Sequence, residues 1–200
     1  MEISDHWISY VRGAFALANT FGPSAAHGRP YRAPEGAAAV GAATEALAHA
    51  MRNLPQLTVD DAETLSATGH EMWMILRAIA TGDPAAANER LNDLLARVDP
   101  RPRMVQHGPA GNWHLHFTAP RDDQGLLWSS NFAVATAMFL GSVDFARSKA
   151  CQAPSCDRVF LDTTRNQSQQ FCSTRCQDRV KSAAHRKRRQ ARAAAVPASR

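Results

Sequence analysis

Apolar residues recur every three or four positions through most of the first 150 residues, the period of helices that bury one face. From Asp5 to about Thr20 the side chains of Trp7, Ile8, Val11, Phe15 and Ala18 fall near one such face. Gly and Pro interrupt the pattern in FGPSAAHGRPYRAPEG, which predicts a loop with partial freedom to move. A second helix is expected from about Glu35 to Arg52. Thr58 followed by Asp61 has the form of an N-cap with early acidic residues, opening a long helix through Met72, Ile75, Leu76 and Ile79 that Gly82 ends. Asp83-Pro84 supplies a cap and a first-turn proline for a helix carrying Leu91, Leu94, Leu95 and Val98.

The period shortens to two in MVQHGPAGNWHLHFT, where Trp113, Leu115 and Phe117 alternate with His114 and His116 across a Gly-Pro turn region. A short hairpin with the two histidines on its exposed face follows. From about Gln124 to Lys149 a further helix is expected, bearing Leu127, Trp128, Phe132, Val134, Met138, Phe139 and Phe145. The final AAAVPASR is expected to be disordered.

Four cysteines change the picture after that point. They form Cys151-x4-Cys156 and Cys172-x3-Cys176, separated by fifteen residues, and no other cysteine occurs in the 200-residue chain. Two close pairs across a hairpin-sized spacer suit a tetrahedral zinc, each pair giving two ligands while the spacer doubles back. RVFLDTT has strand character and RNQSQ has turn chemistry. A helix starting near Cys172 would place Cys172 and Cys176 on one face. Such a zinc is structural, because four thiolates leave no position for water. Two disulfides or four unrelated thiols are the alternatives, and a redox switch stays open.

Charge divides the chain at the same place. Positions 1 to 150 hold 12 Lys and Arg against 15 Asp and Glu, whereas positions 151 to 200 hold 11 against 3. Clustered cations favour a polyanion, since they displace its condensed counterions. Arg175, Arg179, Lys181, Arg186, Lys187, Arg188, Arg189 and Arg192 would form a broad basic face on a helix continuing from Cys172. Val180, Ala183, Ala184 and Ala191 would form a narrow apolar stripe opposite. Contact with DNA phosphates or bases is the functional expectation, with a solvated charged end, RNA or an acidic protein as alternatives. The longest mostly apolar run, FAVATAMFLGSV, is 12 residues, short of the ~20 a spanning helix needs. With acidic Glu2 and Asp5 near the start and no apolar leader following, a cytoplasmic protein is expected. His107, His114 and His116 lack a partner at metal-ligand spacing, and Asp122-Asp123 reads as a helix start. No phosphate loop, nucleophile elbow or HExxH pattern is present, so no enzymatic activity is expected.

The stretch CQAPSCDRVFLDTTRNQSQQFCSTRCQDR resembles the CGNR zinc finger family, whose members pair a C-terminal zinc module with an N-terminal helical domain called ABATE. The resemblance rests on Phe160-Leu161-Asp162-Thr163, on Arg165 and Asn166, on Cys172-Ser173, and on Arg179 three residues after the last cysteine. The family's Cys-Gly-Asn-Arg is here Cys176-Gln177-Asp178-Arg179, departing at its two middle positions. Fainter similarity lies at Ala18-Asn19-Thr20, Leu76-Arg77-Ala78-Ile79 and Leu91-Asn92. The resemblance implies a bacterial transcription regulator that binds DNA through the finger and senses an effector through the helical domain. Asn19, Thr20, Arg77 and Asn92 are the pocket residues it suggests, and a homodimer would suit palindromic sites. The fold class expected is therefore mainly α: an ABATE-like helical domain over 1–148 with a small β-hairpin, a treble-clef-like zinc module of knuckle, β-hairpin and basic helix over 149–192, and a tail over 193–200.

Overall fold

The computed structural model describes residues 5–106, 113–119 and 123–194, so expectations for His107, Asp122 and the last six residues lie outside it. The protein is mainly helical, as its periodicity predicts. In chain order it has α1 (Asp5–Phe21), β1 (Ala25–Ala26), β2 (Arg29–Pro30), α2 (Ala37–Leu47), α3 (Val59–Ala80), α4 (Pro84–Val98), β3 (Arg101–Gln106), β4 (Trp113–Thr118), α5 (Gln124–Leu140), a 3-10 helix (Val143–Arg147), β5 (Ser148–Ala150), β6 (Val159–Leu161) and α6 (Thr174–Ala194). The strands pair as three antiparallel ribbons: β1 with β2, β3 with β4, and β5 with β6.

The core gathers around α1, α3 and α5. Leu17 and Ala18 of α1, Leu65, Met72, Ile75 and Leu76 of α3, and Phe132, Ala135 and Phe139 of α5 are fully enclosed. Gly69 lets α1 and α3 approach, since a Cβ there would stand 2.8 Å from the Leu17 carbonyl oxygen. Two of the helix starts carry the caps their sequences announce. Thr58 and Asp61 form a reciprocal capping box, and the Asp83 side chain accepts from the Ala86 N–H with Pro84 in the first turn.

Two helices are shorter than their periodicity suggests. The second covers Ala37–Leu47, and His49 and Ala50 donate to the carbonyls three residues back, a tightening that leaves the α-helical path. The fifth ends at Leu140, because the Ser142 hydroxyl donates to the Phe139 carbonyl and accepts from the Asp144 N–H. Ser148 and Lys149, expected as the end of that helix, instead open the strand Ser148–Ala150 that pairs with β6. The β3–β4 hairpin also differs. Phe117 packs against Trp7 at 5.9 Å, but the ribbon overhangs the core, leaving Trp113, Leu115 and Met104 exposed on the same face while His116 is half-buried.

β6 is stitched to the helical body. Val159 lies in the main core, and the Asn19 amide both donates to its carbonyl (2.7 Å) and accepts from its N–H (3.0 Å). Replacing Asn19 with Ala would leave two buried backbone groups unpaired, so a loss of about 2–4 kcal/mol is expected in urea unfolding. A loss below about 0.5 kcal/mol would mean that those groups find other partners.

Asp61 makes a second prediction. Burial would raise its pKa, but donation from Thr58, Gly125 and Gln124 outweighs that and holds the carboxyl below its ordinary 3.8. A carboxyl depressed on folding stabilises the protein above the unfolded pKa and ceases to do so as pH falls through the folded one. Asp61→Asn should therefore melt below the wild type at about pH 6, with the gap closing below about pH 3.

Candidate metal centre

The cysteine module has little apolar core of its own. Ala153, Cys156 and Cys176 are buried, with Phe171, Val180 and the other two cysteines packed against them. Its shape comes from hydrogen bonds. Buried Asp162 accepts from the Thr164 N–H (2.9 Å), the Thr164 hydroxyl (2.6 Å) and the Gln169 N–H (3.0 Å), folding the spacer into a closed loop. Burial would raise the pKa of that carboxyl, but the donors hold it below its ordinary range. Arg147 crosses from the 3-10 helix to the Asp162 and Thr164 carbonyls at 3.1 and 3.0 Å. The chain returns along Gln170, whose carbonyl accepts from the Gln152 N–H, and delivers Cys172. Helix α6 then starts at Thr174, slightly later than its expected start near Cys172.

Three sulfur atoms converge. Cys156 Sγ lies 3.8 Å from Cys172 Sγ and 3.7 Å from Cys176 Sγ, and Cys172 and Cys176 are 3.8 Å apart. A tetrahedron of thiolates about zinc, with Zn–S near 2.3 Å, has edges of about 3.8 Å, so the triangle fits one face of a zinc site. Cys151 approaches from the first knuckle, where its sulfur accepts from the Cys172 N–H at 3.4 Å. It also meets the Cys156 thiol and the Ala153 N–H. Cys156, Cys172 and Cys176 of the expected quartet thus converge, and Cys151 stands beside them against the Cys172 N–H.

The donor set also calls for a cation. Burial pushes the Cys172 thiol far up, and the neighbouring Cys151 and Cys156 charges push it further. Burial would raise Cys156 too, yet the N–H groups of Arg158 and His27 outweigh that and lower it. Thiolates this close coexist only when a positive ion shares their charge. The residues present thus fit a zinc ion, which here would supply cohesion and no reactive water.

His27 is the residue sequence reasoning passed over. Its ligand nitrogen and the sulfurs of Cys156, Cys172 and Cys176 all lie within 4.8 Å of one another. It sits in the segment expected to be a loop free to move, which instead folds into the β1–β2 ribbon and docks on the knuckle. The Asp157 carboxylate accepts from the Ser24 hydroxyl and the Ala25 N–H, and the Gly28 N–H donates to the Ser155 carbonyl. Burial lowers the His27 pKa, as do the Arg158, Arg175 and Arg179 charges, so the ring is held neutral. The local hint was an Ala-His-Gly turn between Pro residues, but nothing in the pattern said what it would face.

The basic residues divide into two groups. Arg175, Lys181, Arg186, Lys187, Arg188, Arg189 and Arg192 are exposed on α6. Arg179 is not available in the same way: its guanidinium donates to the Pro154 carbonyl, and a Cβ on Gly28 would stand 2.6 Å from its Cζ. The apolar stripe of Ala183, Ala184 and Ala191 is left exposed, as is every residue from 181 to 192.

Asn19, Thr20, Arg77 and Asn92 do not share one pocket. The Asn19 amide is taken by Val159, and the Thr20 hydroxyl donates to Ala16. Arg77 lies over the Trp73 ring at 5.4 Å and reaches the Asp157 carbonyl, which Trp73 Nε1 also bonds at 2.8 Å. Asn92 lines a separate cleft of ≈ 410 Å³ with Ile79, Asn88 and Phe145. A wider cleft of ≈ 730 Å³, away from the cysteines, lies against α3 and α4 with Thr68, His70, Glu71 and Arg97 in its walls.

Residues 147–189 match the family model of the CGNR zinc finger, a span that takes in both cysteine pairs, β5, β6 and most of α6. No curated protein is similar enough to the chain to count as a match. Among the described residues no helix is long and apolar enough to cross a membrane.

Native mass spectrometry should find one zinc per chain, lost with Cys176→Ser because that sulfur is fully enclosed. Stripping the metal with a strong chelator should collapse the cysteine module while α1 to α5 keep their circular dichroism. Full zinc retention by Cys176→Ser would sink this assignment.

Proposed function

We propose that the chain is a DNA-binding transcription regulator in which Cys151, Cys156, Cys172 and Cys176 hold a structural zinc that anchors α6. The observation carrying this reading is the outer part of α6: twelve consecutive exposed residues, 181–192, among them Lys181, Arg186, Lys187, Arg188, Arg189 and Arg192. Arg186 and Arg189, Arg189 and Arg192, and Arg188 and Arg192 stand one turn apart, where like charges repel. A phosphate backbone relieves that repulsion and supplies the missing partner. A helix of this width suits the major groove of DNA. The first 150 residues carry excess acid, which turns a polyanion toward α6 and away from the body.

The helical body is read as the sensing part, by its similarity to the ABATE domain at Ala18-Asn19-Thr20 and Leu76-Arg77-Ala78-Ile79. Asn19, Thr20 and Arg77 then act at or beside the seam between body and zinc module, and an effector would occupy a cleft such as the one along α3 and α4. With every coordination position filled by a cysteine, the zinc carries no catalysis on this reading.

Binding of the zinc-loaded protein to duplex DNA should fall steeply with salt, by about one log–log slope unit for each phosphate neutralised. Replacing Arg186, Arg188 and Arg189 together with Gln should cut the affinity at least about tenfold and flatten that slope, with zinc retained. DNA affinity that survives the triple change would remove α6 as the contact. Salt-insensitive binding to an acidic protein would favour an interaction module instead.

A further inference from the structure

We propose that His27 is an outer-shell positioning residue of the zinc centre: its Nδ1–H donates to the Cys176 thiolate, so that metal binding and docking of the β1–β2 ribbon are one event. The proposal rests on zinc held by the four cysteines and is independent of DNA binding.

The position of the imidazole is fixed from several sides. His27 and Gly28 are the two central residues of the β1–β2 turn, with φ of 53° and 87°, the left-handed pair that tight hairpins favour. That turn is clamped at both ends, by Ala25, whose N–H donates to the Asp157 carboxylate and whose carbonyl accepts from the Asp157 N–H, and by the Gly28 N–H on the Ser155 carbonyl. Ser155 is itself left-handed, with φ 54°, which turns its carbonyl out to meet the ribbon. So placed, His27 Nδ1 stands 3.4 Å from Cys176 Sγ and 3.4 Å from the Ser173 hydroxyl, while its backbone N–H serves Cys156 Sγ. One residue from the helical body thus reaches both a knuckle sulfur and the sulfur in the first turn of α6.

Donor and ligand are both compatible with 3.4 Å and with the group that His27 forms with Cys156, Cys172 and Cys176, and the bonding at Cys151 favours the donor. Cys151 Sγ already receives the N–H groups of Cys172 and Ala153, the bonding that a metal-bound thiolate accepts at a knuckle. With Cys151 filling the fourth corner, four thiolates place two net negative charges on the complex. N–H donors from His27 disperse that charge. The arrangement is the sulfur counterpart of the outer-shell hydrogen bonds that orient metal ligands in other sites.

The test uses the full chain and two substitutions. His27→Gly removes the ring at a position whose φ suits glycine, and His27→Asn keeps an amide N–H near the place of Nδ1 in a residue tolerant of that φ. Zinc affinity is read by competition with a chromophoric chelator, and the ligand set by the visible absorption of the cobalt(II)-substituted protein. His27→Gly should bind zinc about 10- to 100-fold more weakly and His27→Asn should recover most of that loss, all three proteins keeping the spectrum of four sulfurs. In the wild type, amide exchange at residues 25–28 should quicken when zinc is removed. Equal zinc affinity in wild type and His27→Gly would overturn the proposal. So would a wild-type cobalt spectrum of three sulfurs and one nitrogen, because His27 would then be a ligand, as would ribbon amides indifferent to the metal.

Discussion

Sulfur atoms held 3.7 to 3.8 Å apart are a costly assembly of acids, and the cysteine module near the C-terminal end of the chain is organised around keeping them there. Any one thiol can ionise with help from nearby N–H groups, but each further charge raises the cost of the next. A dication reverses that logic, turning mutual repulsion into shared attraction. The module around it is too small to fold on apolar burial, since only Ala153, Cys156 and Cys176 are buried in its own cluster. Zinc can contribute about 10 kcal/mol or more to such a unit, which is why a few hydrogen bonds around Asp162 suffice to shape the rest.

The helical body solves a different problem, that of holding the zinc unit in one orientation. Val159 enters the main core, Asn19 replaces a missing strand partner for β6, and Asp157 is grasped from Ser24, Ala25, Trp73 and Arg77. These are mostly neutral or backbone-directed bonds, which bind through fixed geometry and not through long-range charge. The acidic body and basic helix can therefore stay electrically distinct while being mechanically joined.

What could be read from the sequence follows the range of the forces involved. Helix periods and the Thr58 and Asp83 caps are local signals that the structure carries, and the cysteine spacing is a local signal for the convergence of Cys156, Cys172 and Cys176. Gly141-Ser142 was also local, but the apolar run on either side masked the stop that its hydroxyl makes. Nothing in the neighbourhood of His27 announced Cys176, which lies 149 positions away. Arg179 shows the same limit: a cation in a basic run looks like its neighbours, and nothing local announces its bond to the Pro154 carbonyl, 25 residues earlier. Alternation alone puts His116 on the outer face, whereas it is half-buried beside the exposed Trp113 and Leu115; the exposure of His114 lies outside the described side chains.

Helix α6 has one further property that follows from its being fastened at a single end. Its 21 residues extend about 31 Å, with the cysteine cluster and the Val180 contact near the first turns and residues 181–192 exposed beyond. Such a rod is a lever whose fulcrum is the sulfur cluster. A tilt of about 10° there moves the far tip by roughly 5 Å, close to the pitch of one helical turn. A shift too small to disturb the helical core thus carries Arg192 well clear of its starting position.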